Sequence, residues 1–171
     1  MLNRRPTIAA LTLCLLLTTV SSLTRADAAA DAKTAIQSAY NKQSAAFNKK
    51  DVKSVFAVYA ADYVAIASRG SKNRTLAEMK LSMQMLFARG QNMNVKQTVQ
   101  KMTVKGSQAI VLSKQHMQFS LIDPRTSTRH TTTSDANVEE IWVKTDKSGW
   151  LKKQTKVLSV VGTVDGKPAK R

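Results

Sequence analysis

The spacing of apolar residues predicts that helices come first along the chain. Across residues 31–48, apolar side chains recur with the 3.6-residue period of a helix that buries one face. The stripe consists of Ile36, Ala39, Tyr40, Ala46 and Phe47, with Gln43 as its polar member. Asp51 is a good N-cap for a second helix that continues to Tyr59. The pattern therefore predicts two helices that lie almost end to end.

A short strand and a third helix are predicted next. Residues 63–66 form the strand, which a turn at residues 69–71 closes. Thr75 and Glu78 have the spacing of a capping box, and Gly90 is typical of the residue that follows a helix. The apolar face of this third helix consists of Leu76, Met79, Met83, Leu86 and Phe87.

After Gly90 the period of the apolar positions changes from 3.6 residues to 2, which is typical of strands. The predicted strands are residues 93–105, 108–122, 129–145 and 149–160, with short turns between them. The fold class predicted is α+β, with the N-terminal helices on one face of a curved antiparallel sheet. Residues 161–171 are expected to form a flexible basic tail.

The beginning of the chain has the three parts of a secretory signal peptide. Arg4 and Arg5 precede an apolar run over residues 8–20, and small residues follow up to Ala28. The run is shorter than the ~20 residues that a membrane-spanning helix needs. We therefore expect cleavage after Ala28, or after Ala30, which leaves a secreted or periplasmic protein without a transmembrane anchor.

Composition restricts the chemistry of the single domain predicted for residues 29–160. The chain has 27 Lys and Arg residues against 11 Asp and Glu residues. Such an excess favours anionic partners, or serves solubility alone. Cys14 is the only cysteine and lies in the predicted signal peptide, so no disulfide or thiolate metal site is expected. Two histidines without clustered carboxylates predict no metal site, and the absence of a glycine-rich phosphate loop predicts no nucleotide cofactor.

Two segments carry a resemblance to a known family. FNKKDVKSVFAVYAADYVAIASRG covers residues 47–70, and IWVKTDKSGWLKKQTKVLS covers residues 141–159. Together with the order of elements, they resemble the nuclear transport factor 2-like superfamily, particularly its SnoaL-like branch and related bacterial domains of unknown function. The resemblance implies a cone-shaped, cystatin-like fold. In it a curved sheet wraps around the first helix and leaves a pocket for small, mostly apolar ligands.

The resemblance also bears on catalysis. Ketosteroid isomerase-like members have a carboxylate three residues before the glycine that corresponds to Gly70, where this chain has Ala67. Those members also have a tyrosine in the first helix as an oxyanion donor. The matching position here is Gln43, with Tyr40 one turn earlier. The resemblance therefore implies that neither half of this catalytic pair is present.

Two other residues remain as candidates for a catalytic base. Asp62 follows the predicted second helix, and His116 lies in a predicted strand. The competing interpretations are a turn residue for Asp62 and a surface or core residue for His116. Glu139 and Glu140 are adjacent in a strand, so their side chains are expected on opposite faces, where they cannot act as a pair.

The ligand pocket that the resemblance implies needs apolar area with a few polar groups. We predict that it is lined by Tyr40, Gln43, Tyr63, Met83, Phe87, Trp142 and Trp150. Lys152, Gln154 and Lys156 alternate along one face of the last strand. An anionic ligand is expected if that face lines the pocket. We favour the outer surface, because burial of unpaired ammonium groups is costly.

The leading functional prediction is an exported domain that binds a small molecule or a partner and has no catalytic pair of its own. One alternative is a SnoaL-like isomerase, lyase or hydrolase that acts on a hydrophobic substrate with Asp62 or His116 as base. A further alternative is an envelope protein that binds polyanions through its lysine-rich sheet face. A homodimer through the sheet is left open, and no specific binding of nucleic acid is predicted.

Overall fold

The computed structural model describes residues 13–67 and 72–169, with side chains from Asp27 onward. Within these residues the elements are α1 (Leu13–Asn48), α2 (Val52–Val55), β1 (Tyr59–Ile66), β2 (Arg74–Thr75), α3 (Leu76–Arg89), β3 (Gln91–Lys105), β4 (Gln108–Ile122), β5 (Arg129–Thr145), β6 (Gly149–Val164) and β7 (Lys167–Pro168). Helices α1 and α2 precede a large curved, unclosed and mostly antiparallel sheet, and α3 lies between β2 and β3 in the chain. This confirms the predicted α+β class.

Parts of three sequence predictions fall outside the described residues. These are Arg4 and Arg5 of the predicted signal peptide, the turn at residues 69–71, and residues 170–171 of the predicted tail. Residues 13–28 of the predicted signal peptide form the first part of α1. Among the described helices, none has a stretch that is both long and apolar enough to cross a membrane.

The boundary between α2 and β1 differs from the prediction. Asp51 does cap α2, because its carboxylate accepts a hydrogen bond from the backbone N–H of Ser54 at 3.1 Å. The helix nevertheless ends at Val55, and Tyr59 already belongs to β1, where it pairs with Lys152. Pairing with β6 therefore overrides the helical spacing of Tyr59. Asp62 lies within this strand and is not a turn residue.

Strand β6 is an inner strand of the sheet, in which the strand order is β2-β1-β6-β5-β4-β3. Strands β3 to β6 pair with their neighbours in antiparallel fashion, as predicted. Strand β1 pairs with β6 in parallel and brings the residues that follow α2 to the side of β6. Strand β6 thus lies between β5 and β1, and its inward side chains face residues from both.

The chain beyond residue 160 does not form a loose tail as far as it is described. Strand β6 continues to Val164, which pairs with Thr132 of β5, and β7 then pairs back onto β6. The turn between them contains Asp165, whose carboxylate accepts a hydrogen bond from the backbone N–H of Thr131 at 2.8 Å. Residues 161–168, for which the sequence predicts a flexible tail, continue the sheet, because residues 161–164 pair with β5 and residues 167–168 pair with β6.

Side chains of α1 and the sheet form two adjoining parts of the core. In one part, Ile36 and Tyr40 of α1 pack with Val111 and Trp142 of the sheet. The other part surrounds the end of α1, where the rings of Phe47 and Phe87 meet edge to face with centroids 5.2 Å apart. The predicted apolar stripe of α1 is thus the buried face of the helix.

A polar side chain fixes α1 on β3. The Gln37 amide oxygen accepts a hydrogen bond from the Val99 N–H at 3.1 Å, and the amide nitrogen donates to the Gln97 carbonyl at 3.1 Å. The register between β3 and β4 shifts beside this point, between Val99 and Lys101. Gln37 therefore pairs with backbone groups next to a bulge in β3, which stabilises the position of α1.

The packing of α1 predicts a large effect of truncating Ile36. This side chain is fully buried, and we expect Ile36→Ala to lower the free energy of unfolding by about 2–5 kcal/mol. Leu81→Ala is the control, because Leu81 on α3 is 58% exposed, and it should change stability by no more than about 0.5 kcal/mol. Urea denaturation followed by circular dichroism measures both, and equal effects would contradict the described core.

Candidate functional site

A cavity of about 380 Å³ lies between the ends of the helices and the concave face of the sheet. It is lined by Gln43, Phe47, Val55, Phe56, Tyr59, Tyr63, Ala65, Ile66, Ala67, Lys72, Arg74, Met79, Met83, Val95, Gln97, Gln115, Met117, Val138, Glu140, Lys152, Thr155 and Val157. Most of this wall is aliphatic, aromatic or thioether. A volume of this size is in the range of small-molecule sites in proteins.

The structure brings only some of the predicted pocket residues to the cavity. Gln43, Tyr63 and Met83 lie on its wall. The other predicted residues belong to the core: Tyr40, Phe87 and Trp142 are buried there, and Trp150 packs against the part that contains Tyr40. They are apolar residues on the expected face, but they occupy positions below or beside the cavity.

The two candidate bases lie on the outer surface. The Asp62 carboxylate contacts the Lys153 ammonium at 3.0 Å, and about two thirds of the Asp62 side chain is exposed. The His116 ring nitrogen Nδ1 is 3.2 Å from the Asp135 carboxylate, on the neighbouring strand. Neither Asp62 nor His116 lines the cavity. A proton transfer to a ligand inside the cavity is therefore out of their reach.

The expected outward orientation of Lys152 is wrong. Ile141 of β5 pairs with Gln154 of β6, and the next residue of β5, Trp142, pairs with Lys152. Lys153 is therefore an extra residue in β6. This bulge breaks the alternation of the strand. Lys152 consequently lies on the inner face and is buried, whereas Lys156 is exposed. Lys152, Gln154 and Lys156 therefore do not share one face, although their spacing predicts that they do.

Lys152 is buried together with a carboxylate that neutralises it. Its ammonium nitrogen lies 2.7 Å from Oε1 of Glu140, and the two side chains are only 2% and 1% exposed. Glu140 and Trp142 both point inward from β5, and Trp142 lies directly opposite Lys152 in the sheet. The pair thus forms the base of the cavity, directly above the core around Tyr40.

The charge on Lys152 is maintained despite its burial. Burial is the largest single influence and lowers the pKa of the ammonium, but the Glu140 carboxylate together with Tyr59 and Tyr40 raises it, and the net pKa lies above its usual value. Three aromatic rings also surround the nitrogen, with centroid distances of 5.1 Å for Tyr40, 5.2 Å for Tyr59 and 5.2 Å for Trp142. Lys152 is therefore a protonated, enclosed cation.

The Glu140 carboxylate is fully used by hydrogen-bond donors. The Tyr40 hydroxyl and Nε1 of Trp142 donate to Oε2, the latter at 2.9 Å. The Gln97 amide nitrogen reaches Oε1 at 3.5 Å, beside the Lys152 ammonium. A carboxylate offers about four acceptor positions, and these donors occupy them. Glu140 is therefore suited to hold the base of the cavity together and poorly suited to take a proton from a ligand.

Gln43 has one polar atom beside the cavity that lacks a hydrogen-bond partner among the described residues. Its amide nitrogen donates to the Val55 carbonyl at 3.2 Å and to the Tyr59 hydroxyl at 2.9 Å. Because a carbonyl oxygen can only accept, these contacts fix the orientation of the amide. The amide oxygen is buried and has no hydrogen-bond partner among the described residues. Such an unpaired acceptor is costly unless a ligand or water satisfies it.

The described side chains do not offer a metal site. Among residues 27–67 and 72–169, no group of three or more His, Cys, Asp or Glu side chains lies close enough together to hold a metal ion.

The sequence contained a signal for Glu140 that the prediction did not use. Val138, Glu140 and Trp142 alternate in β5, so a carboxylate sits on the apolar face of that strand. A carboxylate in that position requires a buried partner. No local pattern identifies this partner as Lys152, because the bulge at Lys153 depends on pairing with β5.

Removal of one partner of the buried pair should be strongly destabilising. Lys152→Met leaves the Glu140 carboxylate buried without its cation, and we expect it to lower the free energy of unfolding by about 3–5 kcal/mol. The double variant Lys152→Met/Glu140→Gln should recover part of this loss. Lys156→Met is the control on the exposed part of β6. Chemical denaturation of the wild type and the three variants measures these changes in the free energy of unfolding. Similar losses for Lys152→Met and Lys156→Met would contradict the buried pair.

Stability should fall at alkaline pH, because burial raises the pKa of Tyr63 to about 12 from its usual 10.0. Burial and the Glu140 carboxylate also raise the pKa of Tyr40. Below about pH 10 the tyrosine hydroxyls are protonated in the folded and the unfolded chain, so these groups leave stability unaffected. Above about pH 10 only the unfolded chain releases these protons, which lowers the free energy of unfolding by about 1.4 kcal/mol per pH unit for each tyrosine.

This pH dependence can be measured by urea denaturation at intervals between pH 8 and about 12. Tyrosinate absorbance, recorded on the same samples, reports ionisation of the three tyrosines of the chain. Tyr63→Phe should reduce the slope of the loss. Complete ionisation of all three tyrosines in a chain that is still folded would contradict the burial of Tyr40 and Tyr63.

Comparison with known proteins is consistent with this architecture. A sequence model of the SnoaL-like domain matches residues 36–157. A comparison with curated proteins gave no match. Among solved structures, a conserved protein from Planctomyces limnophilus DSM 3776 is 14% identical with a TM-score of 0.65, and the match covers 76% of this chain and 96% of that chain.

Two further structures have the same fold. A nuclear transport factor 2-like superfamily protein from Salmonella enterica subsp. enterica serovar Typhimurium str. LT2 is 16% identical with a TM-score of 0.55, covering 82% of this chain and 94% of that chain. A ketosteroid isomerase-like protein from Erwinia carotovora atroseptica SCRI1043 is 16% identical with a TM-score of 0.53, covering 74% and 96%. The resemblance predicted from the sequence is confirmed, and the chain belongs to the SnoaL-like domain family.

Proposed function

We propose that this domain binds a small, mostly apolar molecule in the cavity. The observation that carries the proposal is the cavity itself, which has a volume of about 380 Å³ and a wall rich in aromatic, aliphatic and methionine side chains. A volume of this size inside a domain is costly when it is empty, because the atoms that line it lose packing contacts. A ligand with apolar surface restores those contacts and displaces water from the wall.

A polar group on the ligand has a partner in this wall. The Tyr59 hydroxyl accepts from Gln43 and keeps its own proton for donation. Tyr59 and Gln43 both line the cavity, and the unpaired Gln43 amide oxygen is buried behind its surface. A neutral group that accepts a hydrogen bond, such as an amide or hydroxyl, matches the Tyr59 hydroxyl.

The distribution of carboxylates supports binding without a reaction. Ala67 stands where ketosteroid isomerase-like relatives are expected to have their base, and it lines the cavity mouth without a proton acceptor. Glu140 is inside the cavity wall, but four donors occupy its oxygens.

We further propose that binding takes place outside the cytoplasm, on the basis of the signal-peptide pattern in residues 1–28.

The proposal is tested with 2-naphthamide, a rigid fluorescent probe with an apolar body and an amide group. Wild-type protein should bind it, with a change in probe fluorescence and a rise in melting temperature. Ala65→Phe should weaken binding strongly, because Ala65 lines the cavity and a phenyl ring would project into it. Ala61→Phe is the matched control, since Ala61 lies on the same strand and is exposed.

The measurements distinguish cavity binding from adsorption to the surface. Circular dichroism first establishes that both variants are folded. Equal binding by Ala65→Phe and wild type would place the probe outside the cavity and contradict the proposal, as would the absence of any binding to wild type.

A further inference from the structure

We propose that the natural ligand is an amphipathic anion, whose apolar body fills the cavity and whose charged group lies at the mouth against Lys72 and Arg74. The inference rests on the proposed function and adds the chemical class of the ligand. A carboxylate is the simplest group of this kind.

The first argument is the balance of charge in the cavity wall. Among the described lining residues, Lys72, Arg74 and Lys152 are cationic and Glu140 alone is anionic. Lys152 and Glu140 neutralise each other at 2.7 Å. The two remaining cations therefore give the cavity a net positive charge, which no other described lining residue neutralises.

The second argument is the position of these two cations. Among the β6 residues that line the cavity, exposure increases from 2% at Lys152 to 43% at Val157, so the mouth lies at the Val157 end of the cavity. Lys72 and Arg74 are themselves exposed. Arg74 pairs with Ala65 at the open end of β1. An anion at this position keeps part of its hydration and avoids the full desolvation cost of the interior.

The segment that carries these cations is held against the mouth. The Asn73 side-chain oxygen accepts a hydrogen bond from the Ala67 backbone N–H at 3.0 Å. Asn73 lies between the two cations, so this bond holds both of them next to Ala67, a residue of the cavity wall. The backbone that carries the cationic pair is therefore held at the mouth.

Neighbouring groups orient Arg74 and offset its charge only in part, through the longer-range attraction of the Glu78 carboxylate for Arg74 and Lys72. Its Nη2 donates to the Glu78 carbonyl at 3.2 Å and to the Ser82 hydroxyl, both of which are uncharged. The Glu78 carboxylate is occupied by the capping box, where it accepts from the Thr75 backbone N–H at 2.7 Å. Lys72 approaches this carboxylate only at 3.9 Å. Both cations thus retain capacity for an anion.

The base of the cavity cannot serve the same purpose. An anion there would meet the Glu140 carboxylate, and the only cation within reach, Lys152, already has its counterion. Like charges in a buried site repel each other strongly. The ligand is therefore oriented with its apolar end inward and its anionic group outward.

The test compares 2-naphthoate with 2-naphthamide, two probes of nearly equal shape that differ in charge. Wild type should bind naphthoate more tightly, by about three- to tenfold, which is the range expected for two partly exposed ion pairs. Raising NaCl from about 50 to about 500 mM should weaken the binding of naphthoate and leave that of naphthamide unchanged.

Variants assign the effect to the mouth. Lys72→Gln/Arg74→Gln should remove the preference for naphthoate and leave naphthamide binding unchanged. Lys80→Gln is the control for the loss of a positive charge away from the mouth, because Lys80 is exposed on α3 and does not line the cavity. Thermal unfolding checks that each variant is folded.

The outcomes separate this inference from the proposed function. Equal affinity of wild type for the two probes, or a naphthoate preference that survives in the double variant, would overturn the inference and leave small-molecule binding intact. An equal loss of preference in Lys80→Gln would attribute it to overall charge and would also overturn the inference. Failure of both probes to bind wild type would contradict the proposed function itself.

Discussion

Lys152 and Glu140 can be buried in this domain only because each neutralises the other. Their contact at 2.7 Å is the point on which the rest of the interior depends. On one side of it Tyr40 and Trp142 complete a filled core, and both donate hydrogen bonds to Glu140. On the other side the cavity begins. The ion pair therefore marks the boundary between the packed and the open parts of the interior.

The geometry of β6 makes this contact possible. The strand pairs with β5 on one side and with β1 on the other, and Lys153 is an extra residue relative to β5. Without that bulge, the two-residue period that puts Thr155 into the cavity wall would turn Lys152 away from it. Tyr59, opposite Lys152 on β1, adds one of the three aromatic rings around the ammonium.

The same contacts limit the chemistry of the cavity. The donors that stabilise Glu140 also occupy its acceptor positions, so the carboxylate that the fold needs is not free for proton transfer. Charge that remains available lies at the mouth, on Lys72 and Arg74, where water lowers the cost of an anion. The cavity thus has a base of zero net charge, an apolar wall and a cationic mouth. This arrangement is complementary to an amphipathic anion.

Much of this fold follows from local patterns in the sequence. The apolar stripe of α1, the capping box at Thr75 and Glu78, and the two-residue alternation after Gly90 predict the order and type of the main elements. These features depend on neighbouring residues only. The same patterns identify apolar side chains that face inward, such as Tyr40 and Trp142. They cannot distinguish a residue of the core from one of the cavity wall, because both have the same periodicity.

Tertiary structure decided the features that depend on pairing between distant strands. Residue 59 has helical spacing but joins β6, and residues 161–168 have a tail-like composition but continue the sheet. Lys152 alternates with Lys156, yet a bulge turns it inward to Glu140, twelve residues earlier in the chain. A strand's register is set by its partner, and a single extra residue changes the face on which a side chain lies.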